Sequence, residues 1–136
     1  MNRFQRGLIH VINWLYIWLP RLMGCHKRDD RSFRWRSGLP FPVCARCTGE
    51  LAGILLAACT AWLWTPPVWL QLVLVVPLVA DGFLQLLTRY ESTNPRRFVT
   101  GVLFGFSLVH LFVTTSVALM RFGISLGIRL RAYLQL

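Results

Sequence analysis

The sequence predicts an all-α integral membrane protein. It should have three transmembrane helices, a short N-terminal hydrophobic helix that is interfacial or a fourth span, and a metal-binding cytoplasmic loop. Three observations lead there. Hydrophobic residues make up 55% of the 136, and mean hydropathy is +0.52. Charged residues are only 15%, against the ~25% usual in soluble domains. The apolar residues also stand in long runs, the clearest of which (residues 99–120) carries no formal charge and is long enough to cross ~30 Å of hydrocarbon. At this length the chain makes a single membrane domain, 1–136.

The first element is the N-terminal helix, placed at 7–22. Its core GLIHVINWLYIWL ends at Pro20 and Arg21, and Arg6, His10 and Asn13 form one polar stripe on it. Basic residues followed by an apolar core resemble a signal peptide, but no small-residue cleavage site follows, so that reading is rejected. Next comes a polar loop, 24–47, containing CHKRDDRSFRWRSGLPFPVCARC. The spans follow at 48–64, at 67–87 (interrupted by Pro77 and Asp81) and at 99–120. Trp62, Trp64 and Trp69 bracket the Thr65-Pro66-Pro67 link as interfacial tryptophans do. The tail 121–136 alternates like a strand yet also repeats apolar residues every four, and sequence alone does not assign it.

Charge sets the expected orientation. Residues 21–47 hold seven Lys or Arg and residues 87–98 hold three more, whereas the link between Trp64 and Trp69 holds none. Basic loops stay in the cytoplasm, so the Cys/His loop is expected there, with Arg121, Arg129 and Arg131 of the tail counting against it. The net charge of +10 then reports topology and contact with membrane lipids. No nucleic-acid-binding motif accompanies it, and no nucleic acid is expected as a partner.

With that orientation, Glu50, Asp81, Gln85, Glu91, Asn94, Arg96 and Arg97 gather at the same membrane face as the Cys/His loop. Cys25-His26 and the C-x-x-C pair Cys44/Cys47 offer four ligands of the kinds tetrahedral zinc takes, and spacing leaves iron and copper open. The loop looks unable to bury a core of its own, so a metal would explain its order. A redox dithiol and a plain basic loop are the alternatives; the βαβ setting usual for the former is missing. Cys59 reads as a small buried hydrophobe. His110 reads as an interhelical hydrogen-bonding residue.

Ser92, Thr93 and Asn94 are capping types and Pro95 suits a first helical turn. Arg96 and Arg97 beside such a terminus, with Asn94 and Arg46, could hold a phosphate or carboxylate. The alternative is a plain phospholipid contact. Asp81 lies about 9 Å inside its span, where an unpaired carboxylate costs ~2.5–3.5 kcal/mol. Arg46, Arg89 and Arg97 are its possible partners. Glu50, one turn past Cys47, could ligate a metal or orient its water.

Four motifs in order carry a resemblance. They are Cys25-His26 with Arg31-Ser32-Phe33, the run Pro42-Val43-Cys44-Ala45-Arg46-Cys47-Thr48-Gly49, Asp81-Gly82, and Glu91-Ser92-Thr93-Asn94 continuing to Gly101. Together, over about 24–105, they resemble the DUF2085 family of small membrane proteins. The resemblance implies an integral membrane protein of prokaryotic origin and brings no reaction with it. With the spans and basic loops above, the expected place is the bacterial cytoplasmic (inner) membrane, multi-pass. The leading expectation is a metal-dependent enzyme acting at the cytoplasmic face on an anionic lipid or isoprenoid headgroup. Asp81, Glu91 or Glu50 would be its general base. A zinc-stabilised, non-enzymatic assembly subunit with a protein partner comes second. A small transporter, which would need a homo-oligomer, and a membrane thiol oxidoreductase follow.

Overall fold

The computed structural model describes residues 2–26 and 29–134. Lys27 and Arg28, two of the basic residues counted above, and the last two residues of the tail lie outside the described residues. The molecule is all-α: α1 (Arg3–Leu22), α2 (Ala45–Thr60), α3 (Val68–Leu87) and α4 (Asn94–Leu134). A short 3-10 turn (Asp29–Arg31) sits in the first loop. Among the described residues two helices, α3 and α4, are long and apolar enough to cross a membrane. α2 has 16 residues and measures about 24 Å at 1.5 Å per residue, short of a full span. α1 has the length but carries Arg3, Arg6 and Arg21.

α2 and α3 both pack on α4, and α2 does so more extensively. The reason is a glycine seam. A Cβ on Gly49 would collide with the Phe98 carbonyl, and one on Gly53 with that of Val102. Reciprocally, Gly101 and Gly105 lie against the backbone of Arg46 and Glu50. Each helix thus presents a G-x-x-x-G face, and the backbones meet as closely as in tightly crossed membrane helices. Ala57, fully buried, continues the α2 face by one more turn. Cys59 lies off this face and is exposed, correcting its expected burial.

α1 is almost wholly exposed. Only Pro20 is buried, and Tyr16 and Leu19 partly so. The helix continues through Pro20 to Leu22, and Tyr16 Oη donates to the Pro40 carbonyl at 3.0 Å. The tail, unassigned from sequence, prolongs α4 to 41 residues, about 60 Å. Its every-four repeat was therefore the relevant period. Beyond Leu111 every described residue of α4 is exposed or half-exposed, and the contact with α3 there is the bond from Gln71 Nε2 to Thr114 Oγ1 at 3.2 Å.

The first loop has a core after all. Phe41 N–H donates to the Phe33 carbonyl (2.8 Å), and Trp35 N–H to that of Leu39 (2.9 Å), closing a tight reversal. Gly38 turns it at φ +82°, a region open to glycine. Trp35 stacks on Phe41 with ring centroids 4.5 Å apart, and Phe33 meets Phe98 of α4 edge-on at 5.9 Å. Asn94 Nδ2 also donates to the Ser32 carbonyl at 3.4 Å. Aromatic packing helps order this segment, which was expected to need a metal for its order.

Candidate metal centre

Two helix ends place the cysteines. At the C-terminus of α1, Gly24 adopts φ +59° and Cys25 N–H bonds back to the Pro20 carbonyl at 2.8 Å. This six-to-one closure ends the helix and delivers Cys25 directly after it. Cys44 is the N-cap of α2, which puts Cys47 in the first turn. The Sγ atoms of Cys25, Cys44 and Cys47 all lie within 4.8 Å of one another. Thiolates on a tetrahedral ion at ~2.3 Å would sit about 3.8 Å apart, so the three sulfurs fit one ion with small shifts.

The thiols are already polarised. Cys44 and Cys47 share a hydrogen bond at 3.5 Å, and Cys44 N–H donates to Cys25 Sγ at 3.3 Å. The bond to Cys47 holds the Cys44 thiol down at about 5, against the opposing effect of burial, with the Cys47 and Arg46 amides and Cys25 assisting. The same bond, then burial and the neighbouring sulfurs, push Cys47 up. A thiolate beside a thiol at a helix N-terminus would also suit a dithiol couple. The third sulfur, Cys25, is what gives the arrangement enough ligands to hold a metal ion.

The cluster opens onto a cavity of about 390 Å³ whose wall also carries His26, Arg31, Arg46, Gln85 and Arg97. His26 is on this wall but outside the three-sulfur group, so the structure assembles three of the four expected ligands. Of the expected anion-binding residues, Arg46 and Arg97 reach the cavity. Arg97 is 6% exposed, and its Nη1 contacts Asn94 Oδ1 at 3.5 Å. Arg96 does not reach it: it is exposed and turns to Tyr90, donating to the phenol oxygen at 2.6 Å. One helix position separates the two arginines, and that rotation sends them apart.

The three carboxylates stand behind the wall. Asp81, 5% exposed, accepts at one oxygen from Arg46 Nη2 (2.5 Å) and Gln85 Nε2 (2.7 Å). Of the three partners foreseen for it, Arg46 is the one used. Glu91 is exposed and lies 3.6 Å from Arg31. Glu50 is half-buried at the α2–α4 seam. None of them lines the cavity. Deeper in the bundle, His110 is 1% exposed, but its Nε2 has no partner among the described residues. The expected interhelical bond at that atom is not made.

Sequence reasoning missed Arg31 as a site residue, although it opens the Arg-Ser-Phe motif. It also missed Ser92 as more than a cap, and the glycine seam, which GELAG and GVLFG spell out as paired G-x-x-x-G motifs.

A family model described as predicted membrane protein (DUF2085) matches residues 25–111. An uncharacterized protein of Methanothermobacter thermautotrophicus is 42% identical over 96 residues, covering 64% of this chain and 82% of that relative. An uncharacterized protein of Methanocaldococcus jannaschii is 36% identical over 92 residues, covering 62% of this chain but only 58% of its own length. No solved structure matches.

Proposed function

The chain belongs to the DUF2085 family of predicted membrane proteins, and from that premise we propose a metal-dependent membrane enzyme acting on an anionic lipid or isoprenoid headgroup. One observation carries the reading: the Cys25, Cys44 and Cys47 sulfurs share a cavity wall with Arg31, Arg46 and Arg97. Zinc suits three thiolates with an open fourth position. When bound, the ion supplies a Lewis acid beside the anion.

The chain's own residues do the rest. Arg31, Arg46 and Arg97 hold and orient the anion. Asp81 and Gln85 fix Arg46 in place, a positioning role in place of the expected general base, whereas the exposed Glu91 pairs with Arg31 only while no anion is bound. His26, exposed on the wall, is placed to take or give a proton. In this reading α2, together with α3 and α4, crosses a bacterial cytoplasmic membrane, and α1 lies along its inner face. The basic Cys/His loop then faces the cytoplasm.

The test is elemental analysis of detergent-purified protein beside headgroup release from a phosphate-bearing isoprenoid. Stoichiometric metal and turnover, both lost in Cys44→Ser, with turnover alone lost in Arg97→Ala, is the expected result. Metal-free protein with titratable thiols would sink the reading.

A second reading, a zinc-stabilised assembly subunit, draws on two other features. The cluster ties the end of α1 to the start of α2, and no carboxylate lines the cavity among the described residues. Full metal content without turnover of any amphiphile would favour it.

A further inference from the structure

Beside the thiol cavity lies a second one, of about 230 Å³, at the N-terminus of α4. Arg31 and Arg97 line both. Its floor is the start of the helix, where Arg97 N–H bonds to the Thr93 carbonyl (3.0 Å). The amides of Asn94 and Arg96 precede that first intrahelical bond and have no helical acceptor, and Pro95 has no N–H. Such a terminus attracts anions. A second observation points independently to a ligand. Ser92 lines this cavity and is 4% exposed, yet its Oγ has no hydrogen-bond partner among the described residues. A buried hydroxyl left unpaired costs stability, and an oxyanion in the cavity would satisfy it.

We propose that this cavity binds a phosphate group, and that the two cavities, joined by Arg31 and Arg97, together take a diphosphate. Ser92 Oγ and the first-turn amides of α4 would hold one phosphate. Arg31 and Arg97 would bridge to the second, in the thiol cavity. The phosphate site stands alone on its geometry, whereas the diphosphate rests on the proposed function above. Two carboxylates share the second cavity, Asp30 and Glu91. Both lie 3.6 Å from Arg31, and the Glu91 side chain is 79% exposed. The incoming phosphate displaces Glu91 from Arg31, so Glu91 competes with the ligand.

This competition gives the test an unusual sign. Equilibrium binding of labelled inorganic phosphate and pyrophosphate is measured on the full chain in detergent. Ser92→Ala should weaken both by about tenfold, the loss of one hydrogen bond to a charged group. Glu91→Gln should tighten both by about threefold, the size of an exposed ion pair. Pyrophosphate should bind the wild type at least about tenfold more tightly than phosphate. Cys44→Ser, lacking metal, should keep phosphate affinity, so loss of the metal reading leaves this site standing.

Competition by an isoprenyl diphosphate assigns the source. Displacement at lower concentration than free pyrophosphate supports the site with a lipid-borne headgroup, and the reverse supports it with a soluble ligand. Phosphate affinity indifferent to both Ser92→Ala and Glu91→Gln overturns the site. Equal affinity for phosphate and pyrophosphate overturns the bridging.

Discussion

At the scale of single residues, the thiol pair and the buried ion pair make the sharpest expectations. In metal-free protein, Cys44 is a thiolate above about pH 5 and a thiol below it. Its alkylation by iodoacetamide, followed by mass spectrometry, should stay level as pH falls toward that value and drop only through it. An ordinary thiol at 9.0 would already have slowed at neutral pH. Cys47, pushed up, should stay unmodified throughout, and equal labelling of the two would contradict the shared hydrogen bond. Asp81 makes a different case. Removing one partner of a buried pair costs ~3–5 kcal/mol, but Arg46 is 31% exposed and can regain water. Asp81→Ala should therefore lose about 2 kcal/mol in detergent unfolding. Asp81→Asn, which still accepts from Gln85, should lose less. An unchanged melting temperature for Asp81→Ala would show that the pair contributes nothing.

At the scale of elements, the α2–α4 seam governs where the site residues stand, because Arg46 and Cys47 open one helix and Arg97 the other. Gly101→Val or Gly49→Val would drive a side chain into opposing backbone. The cost should be about 3 kcal/mol or loss of folding, read as loss of monodisperse protein on size exclusion. Gly82→Ala meets nothing within 4 Å and should gain roughly 0.5–1 kcal/mol from helix propensity. Matching losses for Gly82 and Gly101 would show that the seam is not special. The helices themselves were legible in the sequence because apolar runs announce them. Their ends were not: α2 begins at Ala45 with Cys44 at the N-cap position and no side-chain capping bond to mark it, and a cysteine is an unusual residue there. The site was legible as far as Cys25, the Cys44/Cys47 spacing and the candidate arginines. Which arginine faces the cavity was not, because adjacent positions on a helix diverge by 100° and only tertiary packing fixes the phase. The aromatic core of the first loop escaped notice for a similar reason, since Phe33 finds Phe98 far along the chain.

For the molecule as a whole, the proposed orientation puts Ser37 and Thr65 on opposite sides of the membrane. In intact cells, a membrane-impermeant maleimide should label Thr65→Cys and spare Ser37→Cys, and permeabilisation should reverse the protection. The native cysteines are replaced in both reporters, and the opposite pattern would invert the topology. α2 is short for a span and packs chiefly on α4, which carries a consequence in time. From the end of α2 at Thr60 to the start of α4 at Asn94 the ribosome adds 34 residues, about 2–7 s of synthesis. Throughout that interval the glycine face of α2 has nothing to meet. A chain arrested after Leu87 should therefore hold α2 loosely at the insertion machinery, extractable by alkaline carbonate. A chain extended past Phe112 should resist extraction. The closing of the seam, rather than the emergence of α2, would then be the moment at which the cysteines first gain a fixed neighbourhood.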